Sequence, residues 1–142
     1  MTGRVEGKVA LITGAARGQG RSHAIRLAQE GADIIAVDLA AQVGSVPYPM
    51  STPGDLAETV KEVEALDRRI VATQADVRDY GALKAAVDDG VAQLGRLDIV
   101  SANAGIASYG TAEELPEQTW QDMIDTNLTG VTLPVDAGQL AK

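Results

Sequence analysis

Residues 13–20 read Thr13-Gly14-Ala15-Ala16-Arg17-Gly18-Gln19-Gly20, between a strand-like run, Lys8 to Ile12, and a helix-like run, Arg21 to Glu30. Glycines at this spacing let the backbone turn sharply and bring main-chain N–H groups within reach of a ligand. The helix after them adds its unpaired N-terminal donors and the positive end of its dipole. The stretch therefore predicts a phosphate cradle, and its place between a strand and a helix makes a dinucleotide the expected guest.

Outward from the cradle, short apolar runs alternate with longer amphipathic stretches, the pattern of βαβ units that build a parallel sheet. Strands are expected over Val9–Thr13, Asp33–Asp38, Ile70–Gln74 and Leu97–Ala102. Thr52 and Pro53 read as the cap and first turn of a helix over Asp55–Leu66, and Asp79 precedes one over Tyr80–Leu94. Gly31 and Gly95 end two helices. The segment Ala40–Thr52, with Gly44, Pro47 and Pro49, is long for a βα loop and breaks periodicity, so it is either a lid or a surface excursion, and the excursion is the expectation.

The 142 residues suffice for one core, and with no Phe and 3% aromatic residues that core must be Ala, Val, Leu and Ile. Twenty acidic against 12 basic residues give a net charge of −8, which argues against nucleic acid and against an anionic membrane surface. The chain has no Cys, hence no disulfide and no thiolate metal site, and no metal is expected. The N-terminus shows no apolar targeting stretch, which reads as cytoplasmic.

Beyond the cradle stand Asp38 closing the second strand, Asp76-Val77 after the third, Asn103-Ala104-Gly105 after the fourth, and Asn127-Leu128-Thr129-Gly130. In this order and spacing the set resembles the classical short-chain dehydrogenase/reductases. The Gly44–Ile70 excursion and the ending Thr132–Gly138 look like the carveol-dehydrogenase-like, mycofactocin-coupled branch, whose members hold NAD tightly. The resemblance implies an α/β Rossmann-type parallel sheet with helices on both faces, truncated here to about five strands instead of seven. It implies hydride transfer between NAD and a small alcohol or ketone in an intact relative. A catalytically inactive dinucleotide-binding fragment is the alternative.

The cofactor-binding residues are expected to be Thr13, Gly14, Arg17, Gly18, Gln19, Gly20, Asp38, Asp76, Val77, Asn103, Ala104 and Gly105. Asp38, at the carboxyl end of the second strand, can accept hydrogen bonds from both hydroxyls of an adenosine ribose and repel a 2′-phosphate, which favours NAD over NADP. Arg17 is the contrary sign, since a guanidinium there can pair with a 2′-phosphate. By resemblance, Asp76 and Val77 touch the adenine. Asn103, Ala104 and Gly105 line the middle of the cofactor, and Asn103 also has a bland role in steadying the end of the fourth strand.

The family's catalytic Ser and Tyr-x-x-x-Lys, in which Lys lowers the Tyr pKa for proton transfer, lie after the Asn-Leu-Thr-Gly signature. Here Val135-Asp136-Ala137-Gly138 follows almost at once and resembles the family's last strand, as though two distant pieces met between Gly130 and Thr132. The whole of 1–142 then reads as one dinucleotide-binding domain without the catalytic half, with 131–142 resembling the family's C-terminal strand and tail. Asn127 keeps a catalytic label by resemblance alone. Tyr80 and Lys84 satisfy the Tyr-x-x-x-Lys spacing on one helix face, but they precede the fourth strand and belong to a solvated helix start. His23, Ser108 and Tyr109 have no partner that makes them a catalytic group, and Glu113, Glu114 and Glu117 read as a solvated face.

The tail carries a further expectation. Gly130 would cap a helix over Gln118–Leu128, and β-branched Val131–Val135 would return as an edge strand that tolerates Pro134, giving the order 3-2-1-4-tail. Such an apolar, uncovered edge predicts a homo-oligomer through the Leu97–Ala102 and Val131–Val135 side.

Overall fold

The computed structural model describes residues 3–140, and side chains through residue 136. Four runs of apolar residues form the parallel strands β1 (Val9–Thr13), β2 (Asp33–Asp38), β3 (Ile70–Gln74) and β4 (Ile99–Ser101), in the order β3-β2-β1-β4. β1 and β2 are buried throughout because both faces of the sheet are covered, which is why Val9–Ile12 and Ile34–Val37 read as apolar runs and not as an alternation. Ala10, Ile12, Ile34 and Ala36 pack on one face with Ala24 and Ala28 of α1 (Gly18–Gln29) and Leu56 and Val63 of α2 (Pro53–Glu64). Val9, Leu11, Ile35 and Val37 face the other way, against Leu83, Ala86 and Val87 of α3 (Tyr80–Leu94).

The local start signals hold. Thr52 and Asp55 form a reciprocal capping box on α2, with Pro53 in its first turn, and the Asp79 side chain accepts from the Ala82 N–H at the start of α3. β4 is shorter than the expected Leu97–Ala102, because its pairing with β1 covers just Ala10–Ile12 against Ile99–Ser101.

The C-terminal part differs from the sequence expectation. After α4 (Glu117–Ile124) the chain makes a π-helical turn, Asp125–Thr129, and continues as helix α5 (Gly130–Leu140). The strand expected over Val131–Val135 is therefore helix, and the sheet has four strands, not five, among the described residues. Gly130 does not end the helix as expected: its φ of −65° and ψ of −14° are helical, and α5 begins at it. A Cβ there would meet Cγ2 of Val77 at 2.7 Å, so close approach accounts for the glycine. Packing settles the outcome, since α5 lies against α3, Pro134 is fully buried, and Leu133 joins the core beneath α3. The last residues of the expected tail, Ala141 and Lys142, lie outside the described residues.

Candidate functional site

The carboxyl ends of β1, β2, β3 and β4 open into one cavity of about 360 Å³. β1 delivers the glycine-rich turn. Gly14 sits at φ +68°, where a Cβ would also meet the Ala104 Cα at 2.9 Å; Gly18 sits at φ +57° with nothing within 4 Å of a Cβ position. The first position needs glycine for both space and conformation, whereas the second leaves open room toward the cavity. α2 and α3 begin with side-chain caps, but α1 begins at Gly18 without one and without an acidic residue in its first turn. Its N–H donors and dipole thus meet the cavity unneutralised.

Of the residues expected from sequence, Gly14, Arg17, Gly18, Gln19, Asp38, Asp76, Val77, Asn103, Ala104 and Gly105 line this cavity together. Thr13 and Gly20 do not line it; they hold it. The buried Thr13 hydroxyl accepts from the N–H groups of Asn103 and Ala104, each at 3.1 Å, and the Asn103 amide donates to the Thr13 carbonyl at 3.2 Å. A Cβ on Gly20 would collide with the Gly14 carbonyl oxygen. Asn127 does not reach the cavity either. Its Oδ1 accepts from the Ile106 N–H at 2.9 Å and its Nδ2 donates to the Ile106 carbonyl at 2.8 Å, bracketing the segment that carries Asn103–Gly105.

Behind the cradle, the Arg21 guanidinium donates to the Ala16 carbonyl at 2.6 Å, the Asp55 carbonyl at 2.8 Å and the Thr59 hydroxyl at 3.0 Å. Thr59 in turn donates to the Ala15 carbonyl at 2.8 Å. The start of α2 is thereby fastened to the loop.

Where a surface excursion is expected over Ala40–Thr52, the structure has a strap, Leu39–Ser51. Val43 and Val46 are buried with Ile106, packed by Leu39, Tyr48, Met50 and Met123, so an apolar cluster pins it across the sheet ends. Its ends and middle are tied by Ser51 to Asp38 at 2.6 Å, Ser45 to Asp122 at 2.6 Å, and the Ala107 N–H to the Tyr48 hydroxyl at 2.9 Å. Leu39, Val43, Tyr48, Met50 and Ser51 form one wall of the cavity, and Arg78, Ile106 and Thr126 add to it. Sequence reasoning misses these residues, because a segment without periodicity does not reveal which way its side chains point.

Burial raises the Asp76 carboxyl, but hydrogen bonds and charge from Arg78, with Nη2 at 2.7 Å, outweigh this and hold it below the usual carboxylate range. Arg78 also reaches Asp122 at 3.1 Å. The Asp122 carboxyl is held low by hydrogen bonds from Ser45 and Gln118, with the Arg78 charge assisting against burial. Tyr80 and Lys84 are not at the cavity; Lys84 pairs with Asp88 at 2.6 Å. His23 hydrogen-bonds the Ser101 hydroxyl at 3.0 Å, and Tyr109 is 82% exposed. Among the described residues no group of His, Cys, Asp and Glu is placed to hold a metal ion, and no helix is long and apolar enough to cross a membrane.

A parallel sheet flanked by helices, with a glycine-lined cavity at its carboxyl edge, defines a Rossmann-like fold of the dinucleotide-binding kind. The family model for short chain dehydrogenases matches residues 8–138, and the chain belongs to that family. It is 65% identical over 139 residues to a short-chain type dehydrogenase/reductase of Mycolicibacterium smegmatis, covering 96% of this chain and 50% of that protein. It is 60% identical over 129 residues to (−)-trans-carveol dehydrogenase of Rhodococcus erythropolis, covering 90% of this chain and 47% of that one. The structure of carveol dehydrogenase from Mycobacterium avium in complex with NAD superposes with a TM-score of 0.96 at 62% identity, covering 99% of this chain and 51% of that chain. The chain thus spans about half the length of the relatives it matches.

The residues present fit a dinucleotide. An uncapped helix start and the open side of Gly18 suit a pyrophosphate, and a carboxylate at the end of β2 suits a ribose.

Proposed function

We propose that this chain is the NAD(H)-binding portion of a short-chain dehydrogenase/reductase. The family's reaction moves a hydride between NAD and an alcohol or ketone, and a bound nicotinamide supplies the carbon that takes or gives it. The observation that supports the reading is convergence: the cradle, Asp38, Asp76, Val77 and Asn103–Gly105 come from four separate strand ends and line one cavity. In this reading Arg17, Gly18 and Gln19 face the pyrophosphate, Asp38 the adenosine ribose, Asp76 and Val77 the adenine, and Asn103, Ala104 and Gly105 the middle of the cofactor. Thr13 and Gly20 keep the loop in place, and Asn127 positions the 103–106 segment. Asp38 favours NAD over NADP by repelling a 2′-phosphate.

The chain is proposed to bind without turning over alcohol, since Tyr80 and Lys84 do not line the cavity. It is proposed to work in the cytoplasm and to self-associate. β4 is an edge strand, and Trp120, Leu128, Val131 and Val135 are exposed on the α4–α5 stretch, now as helix in place of the expected strand.

Calorimetric titration with NAD and NADP tests the reading. Binding of NAD with a clear preference over NADP is expected; failure to bind either overturns it, and equal binding overturns the role of Asp38.

A further inference from the structure

The hydrogen-bond capacity of Asp38 does not suffice for the ribose it faces. An ionised carboxylate has about four acceptor positions, two on each oxygen. Oδ1 already accepts from the Ser51 hydroxyl at 2.6 Å and the Ala40 N–H at 2.9 Å, and Oδ2 accepts from the Ala16 N–H at 2.9 Å. One position remains, on Oδ2, whereas a ribose diol brings two O–H donors.

Ser51 has the missing capacity. A carboxylate cannot donate, so the Ser51 hydroxyl proton is committed to Asp38 and both oxygen lone pairs are left as acceptors. No hydrogen bond to that oxygen is made among the described residues. Ser51 is 8% exposed and lines the cavity beside Asp38. Its backbone is fixed by its two neighbours on the C-terminal side, because Thr52 caps α2 in a reciprocal box and Pro53 starts the helix. The donor side of this hydroxyl ties the strap to Asp38, and its acceptor side is left over beside the ribose carboxylate.

We propose that Ser51 is a second reader of the adenosine ribose, taking one hydroxyl of the diol on its Oγ while Asp38 Oδ2 takes the other. The inference rests on the dinucleotide-binding function and adds a residue to it from the strap. It makes the strap part of the specificity for an unsubstituted ribose: a 2′-phosphate meets both the Asp38 charge and an oxygen whose proton is already spent on that carboxylate.

The test is calorimetric titration of the chain with NAD, 2′-deoxy-NAD and 3′-deoxy-NAD, repeated on Ser51→Ala and on Ser51→Thr, which keeps the hydroxyl. In the unaltered chain each deoxy analogue is expected to bind about tenfold more weakly than NAD, one hydrogen bond being lost in either case. In Ser51→Ala the penalty for one of the two analogues disappears and the other persists, while Ser51→Thr retains both. This is a coupling between a side chain and a single ligand hydroxyl, which general loosening of the strap does not produce. A penalty for just one analogue in the unaltered chain overturns the proposal without any variant. So does retention of both penalties in Ser51→Ala, which means that the diol does not need the Ser51 oxygen and is served by Asp38 alone. If NAD itself fails to bind the unaltered chain, the proposed function falls and this inference falls with it.

Discussion

The two walls of the cavity are held by different means. The β1–β4 wall is set mainly by backbone contacts: Gly14 lies against Ala104 and Gly20 lies under the Gly14 carbonyl, with one side-chain hydroxyl, that of Thr13, taking the N–H groups of Asn103 and Ala104. The strap wall is a side-chain structure, an apolar cluster of Val43, Val46 and Ile106 with single hydrogen bonds donated by Ser45 and Ser51 and one accepted by the Tyr48 hydroxyl. A backbone contact has no smaller alternative to fall back on, whereas side-chain ties can be lost one at a time. The first wall should therefore fail as a unit and the second by degrees.

The sharpest way to break the contrast is Gly20→Ala. The new methyl has no room beside the Gly14 carbonyl, so a loss of about 3 kcal/mol is expected in chemical denaturation, with loss of NAD binding. Next comes Asp38→Ala, which leaves the Ala16 and Ala40 N–H groups unpaired in a buried place. A cost of about 2 kcal/mol in stability is expected, and the preference for NAD over NADP should narrow by about tenfold or more in paired calorimetric titrations. Arg21→Met should cost about 1–2 kcal/mol and loosen the cradle from behind. Pyrophosphate-bearing ligands such as ADP should then weaken more than adenosine; equal weakening would place the damage outside the cradle.

The strap ties come last. Ser45→Ala and Tyr48→Phe should each cost about 1 kcal/mol or less, additively, and speed hydrogen exchange at Met50 and Ala107 with the sheet untouched. Acid should act on the same wall. Asp76 and Asp122 carry folded-state pKa values below the ordinary one, so their contribution is present above an unfolded value of about 3.9 and disappears as pH falls through the lowered values. Stability should be flat in this respect from pH 7 to about pH 4 and fall below it, and Asp122→Asn should flatten the fall.

The same division explains what can be read in the sequence. β1 and β2 have the expected limits because buried, two-sided strands are apolar through their middles, half-buried β3 is marked by its β-branched start, Ile70-Val71, and the cradle is legible because its glycines are demanded locally. The strap is not, since the partner of Ser45 is Asp122, 77 residues away. Val131–Val135 misleads for the opposite reason: its β-branched residues suit a strand locally, but the burial of Pro134 against the body of the fold is a tertiary fact. Gly130 reads in the sequence as a helix cap, whereas its place beside Val77 demands smallness. Asn127 carries a catalytic label by resemblance, and in the fold it is a bracket on Ile106.

Trp120 is the single tryptophan, 58% exposed on α4, two positions from the Asp122 that receives the strap. The chain consequently carries its own optical label at the landing point of its side-chain wall. Indole emission from an unlabelled sample can follow the seating of that wall as ligand is added, separately from global unfolding, with Ser45→Ala as the matched blank.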